Sequence, residues 1–383
     1  MRISKFKKIL MSDIVLKPLL STIIALLLIN VLKSDITSDT LLSAFCGSSD
    51  IEICDFYNRV RANRSQKSID EDIIIVNVDN LYERNEIADL IKVISSANPK
   101  VIGVDLLFED EKDSLLDSQL LHVLKAVPNL VVAQRYNEYD YVPQRDFISE
   151  NLPNIKRGMA NLTSTVYKGI IRETTFFFGE NKEFPSLEVA LMSIINNDVE
   201  TQLKKRSNEE LIRFSPKEFF VAEPDEIYNR PSLVKNKVVL IGTINDEGDL
   251  HKTSLSDDTA GVLIHANIMS MILNEDFTNI NSWIYNIILG LLSCILLGWM
   301  YVYLNSTQNI AMRLFPIFWI AVLSFIGCWA FDKFGIYLDA PNTLILAFIS
   351  LLVLDIWSAF EGPMTRFLRK LSKHENHINT SNS

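Results

Sequence analysis

Long apolar stretches and short β-branched runs divide this chain into two kinds of sequence. Four mostly apolar segments, each about as long as a helix needs to cross a hydrocarbon core of roughly 30 Å, lie at residues 16–33, 282–304, 314–331 and 343–360. A single segment of this kind is also typical of a buried helix in a soluble protein. Because three of them follow one another closely, the pattern predicts four transmembrane α-helices, one N-terminal and three C-terminal.

Basic residues flank the two outer segments and orient the predicted helices. The leading segment 1–15 contains Arg2 and three lysines, and the tail 361–383 contains two arginines and two lysines. Basic flanks stay on the cytoplasmic side, so both termini are predicted to be cytoplasmic and residues 34–281 extracytoplasmic. No A-x-A cleavage site follows the first segment, which favours an uncleaved anchor. The predicted location is the inner membrane of a bacterium.

Charge separates the predicted outer domain from the rest. Residues 34–281 carry 41 of the 47 acidic residues but only 25 of the 37 basic ones, and the whole chain has a net charge of −10. This balance gives no electrostatic support for nucleic-acid binding. The lipid bilayer is the expected partner of the basic ends.

The outer domain alternates strand-like and helix-like segments. Apolar runs at 72–78, 101–104, 130–133 and 237–241 are typical of strands covered on both faces. Helical periodicity follows at 54–64, 87–97, 115–126, 186–195 and 265–273, whereas 169–178 reads as one further strand and 204–217 as a solvated segment. The pattern predicts an α/β domain with a mainly parallel sheet and flanking helices.

Aspartates follow three of the predicted strands. Asp79 and Asp105 end the first two, and Asp249 lies in the loop after the strand at 237–241. Ligands of open parallel sheets bind at the carboxyl ends of strands, so Asp79 and Asp105 share a crevice if their strands are neighbours. Two close carboxylates can bind a cation. Capping a helix or bracing a turn is the commoner role of such aspartates, and the presence of a metal stays open.

Two smaller features concern the start of the outer domain. Asp55 and Arg59 are four residues apart on a predicted helix, where they form either a surface ion pair or a contact to the crevice. Cys46 and Cys54 are spaced for a small disulfide loop in an oxidising compartment, or they are two thiols.

Several phrases together resemble the type-two CHASE domain, a cyclase/histidine-kinase-associated sensory extracellular domain. They are IIIVNVDN at 73–80, PKVIGVDLLFED at 99–110, MANLTSTVYKGIIRETTFFF at 159–178, FPSLEVAL at 184–191 and KNKVVLIGTINDEGDLHKTSLSDDTAGVLIHANIMSMIL at 235–273. The resemblance implies one N-terminal span, three C-terminal spans and an exported domain that perceives a stimulus. The family-pattern residues found here are Asp55, Arg59, Asp79, Asp105, Phe108, Asp117, Asn161, Gly169, Arg172, Pro185, Ser186, Gly242, Asp249, Gly261, His265 and Ala266.

The chain departs from the family pattern in two places. A Trp-Pro-rich stretch that ends in arginine is replaced by residues 82–86, and a Thr-Pro pair is replaced by Thr253 and Ser254. Family members usually continue into a kinase or cyclase domain, for which the tail 361–383 is too short.

These observations predict a stand-alone membrane sensor without catalytic output. Its ligand would bind near Asp79, Asp105, Asp249 and Arg59, without a cofactor. A separate effector protein is the expected partner, with a homodimer as one way of transmitting the signal. Two alternatives stay open at this point: an exported metal-dependent hydrolase that uses Asp79 and Asp105, and a non-signalling envelope scaffold.

Overall fold

The computed structural model describes residues 18–25, 52–64, 68–162, 169–304, 311–339, 343 and 346–356. The chain divides into two compact units, Cys54–Ile280 on one side and Met1–Ile53 with Asn281–Ser383 on the other. Cys46, the basic N-terminus 1–15 and the tail 361–383 lie outside the described residues. Whether Cys46 and Cys54 form a disulfide or stay as two thiols therefore remains open.

A six-stranded parallel sheet forms the centre of the unit Cys54–Ile280. The strands of this unit are β1 Ile69–Asn77, β2 Val101–Val104, β3 Leu130–Gln134, β4 Tyr136–Asn137, β5 Val142–Pro143, β6 Arg157–Met159, β7 Ile170–Ile171, β8 Glu173–Thr175, β9 Phe177–Phe178, β10 Phe184–Pro185, β11 Glu209–Leu211, β12 Glu218–Ala222, β13 Val238–Gly242, β14 Leu250–Thr253 and β15 Thr259–Ala260. The order of the six strands in the central sheet is β12-β1-β13-β2-β3-β6, and every neighbouring pair is parallel.

Helices cover both faces of the sheet, which explains the continuous apolar runs of its strands. All of β2, β3 and β13 is buried, because each strand contributes side chains to one core on each face. The helices of this unit are α1 Ile53–Arg64, α2 Arg84–Ser96, α3 Ser114–Ala126, α4 Phe147–Asn151, α5 Leu187–Ile195, α6 Val199–Leu203, α7 Pro224–Asn229 and α8 Gly261–Leu273, with 3-10 turns at Pro231–Val234 and Glu247–Asp249. The predicted α/β class with a mainly parallel sheet is confirmed.

The strand order answers whether β1 and β2, the first two strands predicted from the sequence, are neighbours in the sheet. β13 pairs with β1 on one side and β2 on the other, so the first two strands of the sheet are not adjacent. The two outer strands β6 and β12 were not predicted, because their short segments lack a run of buried β-branched residues.

The middle of the domain differs from the sequence expectation in three ways. Residues 169–178 form three short strands that pair with β14, β11 and β10 rather than one strand. Pro185 belongs to β10 and Ser186 is the N-cap, so α5 begins at Leu187 rather than at residue 186. The segment 204–217 is not solvated throughout, because Ile212, Arg213 and Phe214 are buried.

Helices make up most of the described part of the second unit. It contains α9 Ser282–Leu304 and α10 Ala311–Phe334, and residues 18–25 and 346–356 are also helical. Trp319 donates a hydrogen bond to Ser293 at 3.1 Å, and Ser21 and Ser350 share one at 3.0 Å. The first contact joins α10 to α9, and the second joins residues 18–25 to residues 346–356.

Among the described residues, one helix is long and apolar enough to cross a membrane. It covers Ser282–Tyr301 with a mean hydropathy of 1.8. The predicted third span lies inside α10, and the first and fourth are described only at 18–25, 343 and 346–356. The four-span layout stays a prediction.

Candidate functional site

A crevice of about 710 Å³ opens at the carboxyl end of the main sheet. Its walls come from the loops that follow β1, β2, β3, β6 and β13 and from the first turns of α8. This is the edge at which open parallel sheets bind their ligands, and the volume suits a small molecule. Asp105 and Asp249 are among its lining residues.

His265 connects two carboxylates at the floor of the crevice. Its Nδ1 atom lies 2.6 Å from Oε1 of Glu188, and its Nε2 atom lies 3.9 Å from Oδ2 of Asp105. The side chains of His265 and Glu188 are only 3% and 2% exposed, whereas that of Asp105 is 12% exposed. The imidazole is therefore held by Glu188 on one side and presents its other nitrogen towards Asp105.

Burial and charge shift the protonation of this cluster. Burial, opposed by His265 and reinforced by the charges of Asp249 and Glu188, raises the pKa of Asp105 to about 6. Burial by itself lowers the pKa of His265, but the carboxylates of Asp105 and Glu188 outweigh it and raise that pKa to about 9. At neutral pH these shifts favour the imidazolium form of His265 and bring the titration of Asp105 closer to neutrality.

Two glycines bring Asp249 and Asp105 to the start of α8. A Cβ atom at Gly261 would lie 2.5 Å from Oδ2 of Asp249, so only glycine allows that carboxylate to reach the helix. A Cβ atom at Gly242 would lie 2.9 Å from Val262 and 3.5 Å from Cβ of Asp105. Asp249 also contacts His251, with 3.1 Å between Oδ1 and Nε2.

Asp79 lies apart from this cluster. Its Oδ1 accepts a hydrogen bond from the backbone N–H of Ile244 at 2.9 Å, and its Oδ2 accepts one from Nδ2 of Asn245 at 2.7 Å. These bonds outweigh the effect of burial and lower the pKa of Asp79. The condition for a crevice shared by Asp79 and Asp105 is not met, because β13 separates their strands. Asp79 braces the turn after β13, the commoner role of such aspartates.

An arginine from the divergent stretch 82–86 forms one wall of the crevice. Arg84 is buried, pairs with Asp117 and donates to the carbonyl of Asp110. Its guanidinium carbon lies 4.5 Å from the ring centre of Phe147 and 5.7 Å from that of Phe108, within the range of cation–π attraction. Two family-pattern residues, Phe108 and Asp117, thus hold the wall together.

A buried ion pair anchors α1 to the rest of the domain. Arg172 donates from Nε and Nη2 to the two carboxylate oxygens of Asp55, at 3.0 and 2.8 Å. Ser254, which stands in place of the family's proline, donates its hydroxyl to Asp55 at 2.7 Å. Arg59 donates to the Ser254 carbonyl at 2.9 Å and is not part of the crevice lining. Asp55 therefore serves packing, and Cys54 beside it is buried.

A second set of ion pairs holds the segment that follows α8. Asp276 binds Arg61 of α1 and Arg213, and Glu210 accepts hydrogen bonds from Arg206 and Thr278. Residues 274–280 are the direct chain connection from α8 to α9. We call these residues the linker.

Two residues of the site were not singled out in the sequence. Glu188 is an acid inside the apolar run of α5, LEVALMSII, and an acid in such a run is a signal of a buried partner. Arg84 lies in the stretch that departs from the family pattern. It lies in the middle of residues 82–86 and is buried.

A metal site was sought among the His, Cys, Asp and Glu side chains of the described residues. No group of three or more His, Cys, Asp or Glu side chains there is arranged to hold a metal ion. The donors at the crevice floor are instead arranged around one imidazole, as described above.

The fold and the crevice define an open α/β binding domain joined to apolar helices. A comparison with family descriptions gives a match to the CHASE2 domain over residues 24–304, and this chain belongs to that family of sensory extracellular domains. No curated protein and no solved structure matches the chain.

Proposed function

We propose that the chain is a membrane receptor rather than an enzyme, and that its crevice perceives a stimulus arriving from outside the cell. Family membership supports the sensory role. One structural observation carries the mechanism: α8 begins at the crevice, with Gly261 and His265, and its chain continues through the linker to α9.

In the proposed mechanism, a change at the crevice floor moves α8. The helix is a single 13-residue element with a largely buried surface, so a shift at its first turn is transmitted to its last. Asp276 holds the linker against α1 through Arg61, and α1 is the first described helix after residues 16–33. The signal would reach both chain connections to the predicted spans.

The membrane location is supported by exposed apolar stripes on the helices of the second unit. On α9 they are Trp283, Ile287, Ile288, Leu292, Ile295 and Trp299. On α10, Phe318, Phe325 and Trp329 lie at helical spacing and are exposed. Such surfaces are stable in lipid and not in water. The proposed arrangement is a bacterial inner membrane with residues 34–281 outside.

The recipient of the signal is proposed to be a separate protein, reached through the helices directly or through a change in pairing of two copies of this chain. The receptor is preferred here to the hydrolase alternative, because both carboxylate oxygens of Asp79 accept hydrogen bonds from Ile244 and Asn245. No specific observation favours the scaffold alternative.

Hydrogen exchange tests this proposal on the full chain in lipid nanodiscs. The sample is compared with and without the low-molecular-weight fraction of the growth medium, and the same fraction after removal of small solutes by dialysis is the control. We expect slower exchange in residues 243–251 together with changed exchange in 261–280. A response confined to the crevice loops, or none, contradicts the receptor mechanism.

Asp276→Asn separates perception from transmission in the same experiment. The variant weakens the pairing with Arg61 and Arg213 without touching the crevice. Exchange at 243–251 should respond as in the wild type, whereas the response at 274–280 should be lost. An unchanged linker response would show that the ion pairs of Asp276 have no part in transmission.

A further inference from the structure

Two polar groups at the crevice floor face each other without a hydrogen bond. The Nε2 of His265 and the Oδ2 of Asp105 are 3.9 Å apart, which is too far for one. Within the described part of the chain, neither atom has another hydrogen-bond partner. Because His265 is 97% buried and both residues line the crevice, the groups are available to a molecule that enters it.

The charge balance at the floor is negative. Glu188 and Asp105 share the imidazole of His265, at 2.6 and 3.9 Å. His251 lies 3.1 Å from Asp249, so three carboxylates at the floor face two histidines. Burial is the main cause of the raised pKa of Asp105, and the charges of Asp249 and Glu188 add to it. A cation that reaches Asp105 and Asp249 would relieve their mutual repulsion and the desolvation of Asp105.

The remaining walls do not reverse this balance. Three lysine and arginine side chains line the crevice. Arg84 is paired with Asp117, and Arg135 is paired with Glu109 at 3.2 Å. Lys112 is the third and is outnumbered by the acidic lining residues. The acidic lining residues are Asp105, Glu109, Asp110, Asp246 and Asp249.

The apolar part of the lining favours an organic cation over a bare metal ion. Leu81, Leu106 and Phe108 line the crevice, and Tyr82 is exposed at its edge. A strongly hydrated ion gains nothing from such walls, whereas the carbon skeleton of an amine is stabilised by them. An ammonium group also has three N–H donors, enough for two carboxylates.

We propose that the crevice binds a small organic ammonium compound, with its ammonium group between Asp105 and Asp249 and its carbon skeleton against the apolar wall. This inference rests on the proposed receptor function and names the class of stimulus. The site requires ionised Asp105, so binding weakens as the pH falls below about 6.

Calorimetry on the full chain in nanodiscs tests the ligand class with defined probes. Butylamine, ethanolamine and phenethylamine are titrated at pH 7.5, beside butanol and butyric acid as the neutral and anionic counterparts. We expect at least one amine to bind with a millimolar or lower Kd and the counterparts to bind at least tenfold more weakly. Equal binding of butyric acid, or no binding of any amine, overturns the proposal.

Two variants locate the bound amine. Asp105→Asn and Asp249→Asn should each weaken binding at least tenfold, whereas Asp89→Asn, at an exposed residue of α2 that pairs with Lys92, should change it less than twofold. Without a ligand, the Asp105→Asn variant should have a melting temperature no lower than that of the wild type, because the substitution removes a buried carboxylate charge that its surroundings disfavour. Wild-type affinity in both crevice variants would contradict the site.

Hydrogen exchange with the same probes distinguishes this proposal from the receptor function. If an amine binds but exchange at 261–280 stays unchanged, the ligand class stands and the receptor mechanism fails. If the medium fraction alters 261–280 while no amine binds, the receptor stands and the ligand class is wrong.

Discussion

The imidazole of His265 and the carboxylate of Glu188 form a nearly solvent-free ion pair, with 2.6 Å between Nδ1 and Oε1. The pair joins the second turn of α8 to the first turn of α5, across the core on one face of the sheet. Since α8 leads to the linker, its position at the crevice is fixed by a titratable contact.

The stability of the domain should therefore fall as the pH rises through the pKa of His265. The folded pKa of about 9 exceeds the ordinary value of 6.5, so the stabilisation is complete below pH 6.5 and disappears towards pH 9. The full effect is up to about 3 kcal/mol. Thermal unfolding in nanodiscs at pH 6.5, 7.5 and 9 measures it.

The matched variant for this pH profile is His265→Gln. It keeps a polar side chain but cannot titrate, so its unfolding midpoint should fall less between pH 6.5 and 9 than that of the wild type. Parallel profiles for the two proteins would show that His265 is not the titrating group.

Loss of the Asp55–Arg172 pair should destabilise the domain more than any exposed ion pair. Arg172→Met leaves a carboxylate buried without its guanidinium, at a cost of about 3–5 kcal/mol. The control is Lys92→Met, which removes an exposed partner of Asp89 and should cost no more than about 0.5 kcal/mol. Chemical unfolding compares them, and equal effects would contradict a structural role for the buried pair.

Asp79→Ala should affect stability without affecting ligand affinity. The variant removes the acceptor for Ile244 and Asn245, which costs about 1–3 kcal/mol. Calorimetry with the amine probes should give a Kd within twofold of the wild type. A tenfold loss of affinity in a folded Asp79→Ala protein would restore Asp79 to the ligand site.

Gly261→Ala should displace Asp249 from the start of α8. The new Cβ would lie 2.5 Å from its carboxylate, so the side chain must move, and we expect at least a fivefold loss of amine affinity. The control is Gly248→Ala in the same crevice, where the new Cβ would meet only the carboxylate of Asp246 at 3.3 Å. Equal affinities of both variants would show that Asp249 does not bind the ammonium group.

The sequence predicted those parts of the fold that have a strong local pattern. The runs at β1, β2, β3 and β13 are apolar because both faces of these strands are covered. The insertion of β13 between β1 and β2 left no local signal, since strand order depends on contacts between distant segments. For the same reason the sequence left open whether Asp79 and Asp105 share a crevice.

The candidate site was predictable only in part. Asp105 and Asp249 were identified from their positions after strands, and both line the crevice. Glu188 and Arg84 were missed because their burial comes from partners far away in the chain, His265 and Asp117. A charged residue gives no local indication of whether it is solvated or paired inside the fold.

Cysteine accessibility in intact cells tests the central claim most directly, that the sensory domain faces outward. Tyr139 is 94% exposed at a hairpin tip, and Tyr139→Cys is compared with the wild type and with Ser381→Cys in the tail. A membrane-impermeant maleimide should label Tyr139→Cys in intact cells and Ser381→Cys only after permeabilisation. Labelling of Tyr139→Cys only in permeabilised cells would contradict the receptor account.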